Sequence, residues 1–180
     1  MKYVALLRGI APLNPNMQND KLRGVAESLG LRHVETVISS GNVLFETDRK
    51  DTSALEADFE KAWPARLGFA STTIIRSQDQ IRALVDKNVF KAYADAQSSR
   101  LNVTFLKKPP SVKLTFPYRP ENKPYELLGD YDGAIGSVVD LTVTGTPDLM
   151  TWLERQFGKE ITTRTWKTVG RILNRLDAMP

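Results

Sequence analysis

The amino-acid sequence predicts an α+β protein whose first half folds as a ferredoxin-like, βαββαβ subdomain with an antiparallel sheet. Two observations lead to this prediction. Short segments rich in β-branched and apolar residues alternate with segments whose apolar residues recur at helical spacing. Turn residues separate the second and third β-rich segments, which is the signal of a hairpin. The resulting order is strand, helix, strand, strand, helix, strand.

Apolar patterns and the residues that interrupt them define the elements of the first half. The predicted elements are a strand over residues 2–8, a helix around 22–29, strands over 34–38 and 43–47, a helix from about residue 51 and a strand over 72–76. Gly30 is expected to cap the first helix, and Pro64 is expected to kink or shorten the second. Ser77 and Gln80 are predicted to form a capping box that opens a third helix.

The second half has a less regular pattern. The predicted elements are strands over 101–106, 125–128 and 137–143, a helix that ends at Gly158, and a final helix from about Thr165 to Leu176. Thr146 and Pro147 are expected at the start of the first of these helices. Four prolines between residues 107 and 123 favour an extended loop there. We therefore predict two domains, residues 1–77 and residues 78–180, packed against each other.

Composition excludes several classes of protein. Hydrophobic residues make up 41% of the chain and charged residues 26%, as in ordinary globular domains. No apolar segment is long enough for a membrane helix or for the core of a signal peptide, so we expect a cytoplasmic protein without a membrane partner. The net charge of +4 is modest for a protein that binds nucleic acid nonspecifically.

The usual catalytic groups are scarce. The chain has no cysteine, which excludes disulfides and thiol chemistry, and His33 is its only histidine. No P-loop or Rossmann glycine pattern occurs, and Asp130 with Asp132 fits a turn better than a calcium loop. We therefore expect neither a metal nor a cofactor, and the sequence leaves open whether any reaction is catalysed.

The segment 161–168 is the most informative candidate site. It is predicted to open the final helix, so that hydroxyls and free backbone N–H groups would converge on an anion. The candidate ligand-binding residues in this region are Thr162, Thr163, Arg164, Trp166, Lys167 and Arg171. Arg164, Lys167, Arg171 and Arg175 would form a row of cations along one helix face. The alternative is that the threonines cap the helix, Trp166 anchors it, and the cations are solvated.

Two further regions of the sequence are candidates for binding an anionic partner. Residues 107–125 interleave cations with aromatics, as single-stranded nucleic acid sites do, although packing over a sheet edge explains the same pattern. Arg8 and Asn42 are further candidate ligand-binding residues. The alternative for residues 39–42 is a tight turn in which Gly41 supplies a positive φ angle. We expect the first and third strands to be parallel neighbours, which would put Arg8 and Asn42 at opposite ends of the sheet.

Three separated motifs carry a resemblance to a known family. Residues 3–9 (YVALLRG), 39–42 (SSGN) and 162–168 (TTRTWKT) resemble the bacterial family known as domain of unknown function 1697. The resemblance spans residues 3 to about 173 and implies two ferredoxin-like subdomains, with no established reaction or substrate. The chain departs from many relatives at residues 11–16, which read APLNPN and lack the glycines and lysines of the usual loop.

The sequence thus favours a noncatalytic protein that binds an anionic partner, either a phosphorylated ligand or nucleic acid. The basic C-terminal helix and a cleft between the subdomains are the expected binding surfaces. An enzyme acting on a small phosphorylated or carboxylated metabolite is the first alternative, with Arg8 and Arg164 clamping the anion. An oligomeric interaction scaffold is the second, and the sequence leaves the oligomeric state open.

Overall fold

Two four-stranded antiparallel sheets and five α-helices make up the described part of this α+β protein. The computed structural model describes residues 1–93, 98–143, 145 and 147–180. The chain divides by its contacts into two compact units. Unit 1 comprises Met1–Ala83 with Gly170–Pro180, and unit 2 comprises Leu84–Val169. None of the helices in the described ranges is both long enough and apolar enough to span a membrane.

Unit 1 contains the predicted order of strands and helices. Its elements are β1 (Lys2–Leu7), α1 (Asn19–Ser28), β2 (Arg32–Thr36), β3 (Asn42–Glu46), α2 (Thr52–Leu67) and β4 (Thr73–Ser77). The helix α3 (Gln78–Asp86) follows directly. Its predicted capping box is confirmed, because the Gln80 N–H donates to Ser77 Oγ at 3.2 Å and the Ser77 N–H donates to Gln80 Oε1 at 3.0 Å.

The sheet of unit 1 has the strand order β2-β3-β1-β4, with every neighbouring pair antiparallel. The predicted parallel pairing of the first and third strands is therefore wrong. The helix between β1 and β2 returns the chain, so both strands point the same way, and the hairpin then reverses β3. In the resulting register Leu6 lies opposite Asn42, and the Leu7 N–H donates to the Gly41 carbonyl at 2.9 Å. The turn 39–41 thus lies beside the end of β1, where Arg8 follows.

A row of aromatic rings forms the centre of the unit 1 core. Successive ring centroids lie 5.7, 5.7, 5.1 and 6.1 Å apart along the row Tyr3, Phe45, Phe59, Trp63 and Phe69. Asp51 starts α2 by accepting a hydrogen bond from the Ala54 N–H at 3.0 Å, and Gly68 ends it in the left-handed conformation. The helix continues through Pro64 to Leu67, so this proline does not end it.

Two carboxylates on α2 bind the edge strand β4. Glu56 Oε1 accepts from the Ile75 N–H at 2.8 Å, and Glu60 Oε1 accepts from the Thr73 N–H at 2.9 Å. Strand β1 occupies the other side of β4. Side chains of the covering helix thereby satisfy backbone donors that an edge strand otherwise leaves open.

Unit 2 repeats the strand order of unit 1. Its elements are β5 (Ser99–Leu106), β6 (Tyr125–Asp130), β7 (Ala134–Asp140), α4 (Leu149–Phe157) and β8 (Ile161–Thr165). The order β6-β7-β5-β8 matches β2-β3-β1-β4 when β5 is aligned with β1. Residues 107–124 contain no helix, as predicted from their prolines, and Gly158 ends α4. The predicted cap residue Thr146 lies outside the described residues.

The closing motif differs from its prediction. Ile161–Thr165 is strand β8, paired with β5, and the final helix α5 (Trp166–Ala178) begins only after it. The prediction that this segment opens a helix is wrong for residues 161–165. The physical reason is that β-branched residues dominate Ile161–Thr165 and favour a strand, whereas threonine caps a helix equally well when read in isolation.

The end of the chain belongs to unit 1. The Lys2 ammonium donates to the Met179 carbonyl at 2.7 Å, and the Gln78 amide donates to Asp177 at 2.6 Å. Two ion pairs add to these contacts, Arg82 with Asp177 and Arg175 with Glu35. The compact units thus group Gly170–Pro180 with the first half of the chain, whereas the predicted domains placed it with the second half.

Candidate functional site

The side chains of β8 alternate between the two faces of the unit 2 sheet. Thr163 lies opposite Thr104, and Thr165 lies opposite Asn102, on the face that α4 covers. Thr162 and Arg164 point to the other face. The hydroxyls of Thr163 and Thr165 therefore lie on the opposite face of the sheet from Arg164. The expectation that all the hydroxyls and the cation of the motif converge on one anion is wrong.

Arg164 is buried, with 8% of its surface exposed. Its guanidinium donates to Thr162 Oγ1 at 2.8 Å and to the Thr163 carbonyl at 3.0 Å. Burial lowers the pKa of Arg164 to about 10, so the side chain remains charged at neutral pH. The predicted row of four cations on one helix face is wrong, because its first member lies inside a strand.

The helical candidates of the motif have ordinary surroundings. Trp166 packs edge-to-face on Phe90, with ring centroids 5.0 Å apart. Lys167 and Arg171 are exposed on α5, and Arg175 is engaged by Glu35. Helix α5 therefore presents three exposed cations, one of them paired with a carboxylate, and the continuous row predicted from the sequence lacks Arg164.

Arg8 and Asn42 lie at the same end of the unit 1 sheet, which corrects the expectation of opposite ends. The Asn42 amide is fully buried and donates to the Val37 carbonyl at 2.8 Å and to Ser40 Oγ at 3.0 Å. The backbone carbonyl of Arg8 accepts from Ser71 Oγ at 2.8 Å. The described contacts of Asn42 thus hold the turn itself together.

The cations and aromatics of residues 107–125 are largely engaged within unit 2. Lys108 binds Glu160 at 2.6 Å. Tyr118 stacks on Trp152 with ring centroids 5.8 Å apart, and Tyr125 is 1% exposed. These contacts favour the packing interpretation of this segment over a surface that stacks bases.

A pocket in unit 2 brings together two residues of the closing motif. It has a volume of about 340 Å³ and lies between the first turn of α4 and the covered face of the sheet. We call it the α4 pocket. The described residues that line it are Arg100, Asn102, Val139, Pro147, Asp148, Leu149, Met150, Thr151, Thr163 and Thr165. Thr163 is therefore the one predicted site residue that reaches this pocket.

Asn102 supplies an unused amide to the α4 pocket. It lies in the middle of β5 and is 7% exposed, yet its side chain hydrogen-bonds to none of the described residues. The amide nitrogen and oxygen of Asn102 are not sealed from solvent, unlike the Ser137 hydroxyl, so they face accessible space. Because Asn102 also lines the pocket, its donor and acceptor are available to a ligand there.

The first turn of α4 is open to the same pocket. Asp148 precedes the helix but makes no side-chain cap, because its carboxylate accepts from Lys123 Nζ at 2.6 Å and from Tyr125 Oη at 2.9 Å. The hydrogen bonds from Lys123 and then Tyr125 lower the pKa of Asp148. The backbone N–H groups of the first turn, at the positive end of the helix dipole, thus receive no cap from this aspartate.

Arg100 provides a cation at the rim of the pocket. It lies on β5 opposite Val139, two residues before Asn102 and on the same face. Its side chain is exposed and makes no ion pair across the described ranges. The pocket therefore combines an available guanidinium, a buried amide and an open helix N-terminus.

Comparisons with known proteins place the chain in a family. A family model described as "Protein of unknown function (DUF1697)" matches residues 1–128. The chain belongs to this family. A solved structure of a conserved bacterial protein from Streptococcus pneumoniae is similar to it, with a TM-score of 0.72 and 21% sequence identity. That similarity covers 97% of this chain and 98% of the other, and it concerns the fold alone. No curated protein matches the chain.

The predicted membership of the DUF1697 family is thus confirmed. Arg100 and Asn102 lie within the residues that the family model matches, whereas the closing motif lies beyond them. Sequence reasoning missed both residues. The available signal was a polar residue at a buried position of an apolar strand, since Asn102 interrupts the run 101–106. In the described part of the chain, no three histidine, aspartate or glutamate side chains cluster as metal ligands would.

Proposed function

We propose that this DUF1697 protein is a noncatalytic binding protein for a small anionic ligand, which it holds in the α4 pocket. The single observation that carries the proposal is Asn102, a buried amide that lines the pocket without a partner among the described residues. Ligand pockets place a few polar groups on a mostly apolar wall, so an amide that reaches the pocket from a 7%-exposed residue supports a ligand-binding role.

Charge supports an anion as the ligand. Arg100 lines the pocket without an ion pair to any described residue, and the open first turn of α4 adds a positive dipole end. Asp148, the one carboxylate among the described residues of the lining, is neutralised by Lys123 at 2.6 Å. The charges of the site therefore sum to a positive environment.

Size supports a small molecule over a nucleic acid. The pocket volume of about 340 Å³ lies at the lower end of the range for ligand sites. A nucleic acid would need an extended basic surface. The predicted row of cations on α5 does not supply one, because its first member, Arg164, is buried. We therefore favour the small anion as the partner.

The residues of the pocket support binding without catalysis. A general base needs a carboxylate or imidazole that is available to the substrate. Both oxygens of Asp148 already accept hydrogen bonds, and its lowered pKa makes it a weak base. The Thr163 hydroxyl donates to Met150 Sδ at 2.9 Å and lies 2.7 Å from Thr104 Oγ1, so it has no base to activate it.

Calorimetric titration of the full chain with small phosphates, carboxylates and a short oligonucleotide tests this proposal. Arg100→Met should weaken binding of a responding anion by about 10- to 100-fold, since a charge-assisted hydrogen bond contributes roughly 1.5–3 kcal/mol. Arg171→Met is the matched control, because Arg171 is an exposed arginine on α5 outside the pocket. Equal losses in the two variants, or binding of the oligonucleotide alone, would contradict the proposal.

The ferredoxin-like description of the two units is also a proposal. Supporting it are the βαββαβ order of unit 1 and the recurrence of its strand order in unit 2. The segment between β5 and β6 departs from that description, because residues 107–124 replace the expected helix.

A further inference from the structure

Charge in the α4 pocket limits the charge of the ligand. Among the described lining residues, Arg100 and Asp148 are the two that are charged at neutral pH. Asp148 is paired with Lys123, so Arg100 supplies the one positive charge that is left for a ligand. A monoanion matches this charge, whereas a phosphate monoester carries close to two negative charges and would face Asp148.

Strand β5 places the two recognition groups next to each other along one face of the sheet. Arg100 and Asn102 are two residues apart on one face, so their backbones are about 7 Å apart at the usual strand rise. The fork of a guanidinium pairs with a planar carboxylate through two parallel hydrogen bonds. The Asn102 amide then offers a donor and an acceptor deeper in the pocket.

Apolar side chains line the space beside these two groups. Val139 and Leu149 are buried, and Met150 lies beside them on α4. Unbranched methionine adapts to ligands of different shape. The volume of about 340 Å³ equals that of roughly eleven liquid waters, which suits an apolar body the size of a ring.

We infer that the ligand is a small organic monocarboxylate with an apolar body and, at its other end, a second hydrogen-bonding group, a hydroxyl or amide. This inference rests on the proposed anion-binding function of the same pocket. The carboxylate pairs with Arg100 near the first turn of α4, and the second group pairs with Asn102. The apolar body lies against Val139, Leu149 and Met150.

Three probes of similar size test the inference by calorimetric titration of the full chain at neutral pH. They are para-hydroxyphenylacetate, phenylacetate and phenyl phosphate. We expect para-hydroxyphenylacetate to bind about tenfold more tightly than phenylacetate, because it gains a hydrogen bond to Asn102. Phenyl phosphate should bind more weakly than either carboxylate. In Asn102→Leu the two carboxylates should bind with equal affinity.

The outcomes separate this inference from the proposed function. If phenyl phosphate binds most tightly and Arg100→Met weakens it, the monocarboxylate inference is overturned while anion binding stands. If the two carboxylates bind equally to the unaltered protein, the role of Asn102 is overturned, whatever the stability of Asn102→Leu. If no probe binds and inorganic phosphate and acetate also fail, the proposed function itself is overturned.

Discussion

Replacing Gly41 by alanine tests whether the SSGN motif is a folding element. Gly41 has a φ of +74°, in the left-handed region that side chains disfavour. A Cβ built there would lie 2.5 Å from Ile10 Cγ1 and 2.9 Å from Leu7 Cβ, which is closer than carbon atoms approach. Alanine at this position therefore faces both backbone strain and a steric clash.

The expected loss follows from adding these two effects. The left-handed conformation is unfavourable by roughly 1–2 kcal/mol for an L-residue. Overpacking against β1 and its following loop adds roughly 1–3 kcal/mol. Gly41→Ala should therefore lower the free energy of unfolding by about 2–5 kcal/mol, which corresponds to a melting temperature lower by several degrees in a chain of this length.

Gly68→Ala provides a matched control for the strain alone. Gly68 caps α2 with a φ of +75°, and a Cβ there would meet nothing within 4 Å. It should lose only about 1–2 kcal/mol in urea unfolding of the full chain followed by circular dichroism. Equal losses for the two variants, within about 0.5 kcal/mol, would refute the argument that contact with Ile10 and Leu7 requires glycine at position 41.

Three further predictions concern buried and paired polar groups. Ser137 has a fully buried hydroxyl that bonds to no described residue, so Ser137→Ala should leave the free energy of unfolding unchanged or raise it by about 1 kcal/mol, and a loss above that size would contradict this. The pKa of Asp148 is lowered when folded, so its stabilisation is present above the unfolded pKa of about 4 and lost as pH falls through the folded pKa. Unfolding of wild type and Asp148→Asn should therefore differ most near neutral pH, and a constant difference down to about pH 2 would show that ionisation of Asp148 is not involved. Glu56→Leu leaves the buried Ile75 N–H without its acceptor and should lower the free energy of unfolding by roughly 1–3 kcal/mol. Glu56→Gln keeps an acceptor oxygen and should lose less. Similar losses in the two variants would show that the negative charge of Glu56, and not its hydrogen bond, is what stabilises the fold.

The parts of the fold that the sequence predicted depend on local patterns. Ser77 and Gln80 form the capping box and are only three residues apart. Gly158 directly follows the last residue of α4. Both signals can therefore be read from neighbouring residues. Strand direction in unit 1 also follows from the order of elements: the helix α1 makes β2 parallel to β1, and the hairpin then makes β3 antiparallel to both, contrary to the predicted parallel pairing of the first and third strands. The identity of β8 was not available from local pattern, because Thr162, Thr163 and Thr165 suit a cap as well as a strand.

The α4 pocket could not be predicted for a different reason. Its walls come from strand β5, strand β7, the first turn of α4 and strand β8, which are distant in sequence. The periodicity of the sequence identified Leu101–Leu106 as a strand. It could not indicate which of these side chains would face a pocket and lack a hydrogen-bond partner. Only the register of β5 against β8 places Asn102 beside Thr165. Long-range pairing therefore determines the site, while local patterns determine the elements that form it.

The assignment of Gly170–Pro180 to unit 1 has a consequence for synthesis of the protein in the cell. Domains near the N-terminus usually fold while the rest of the chain is still being made. Here the partners of Lys2, Glu35 and Arg82 are Met179, Arg175 and Asp177, which are translated after the whole of unit 2. Unit 1 therefore completes its contacts only after all of unit 2 has been translated, and a chain that stopped at Val169 would contain unit 2 but an unfinished unit 1.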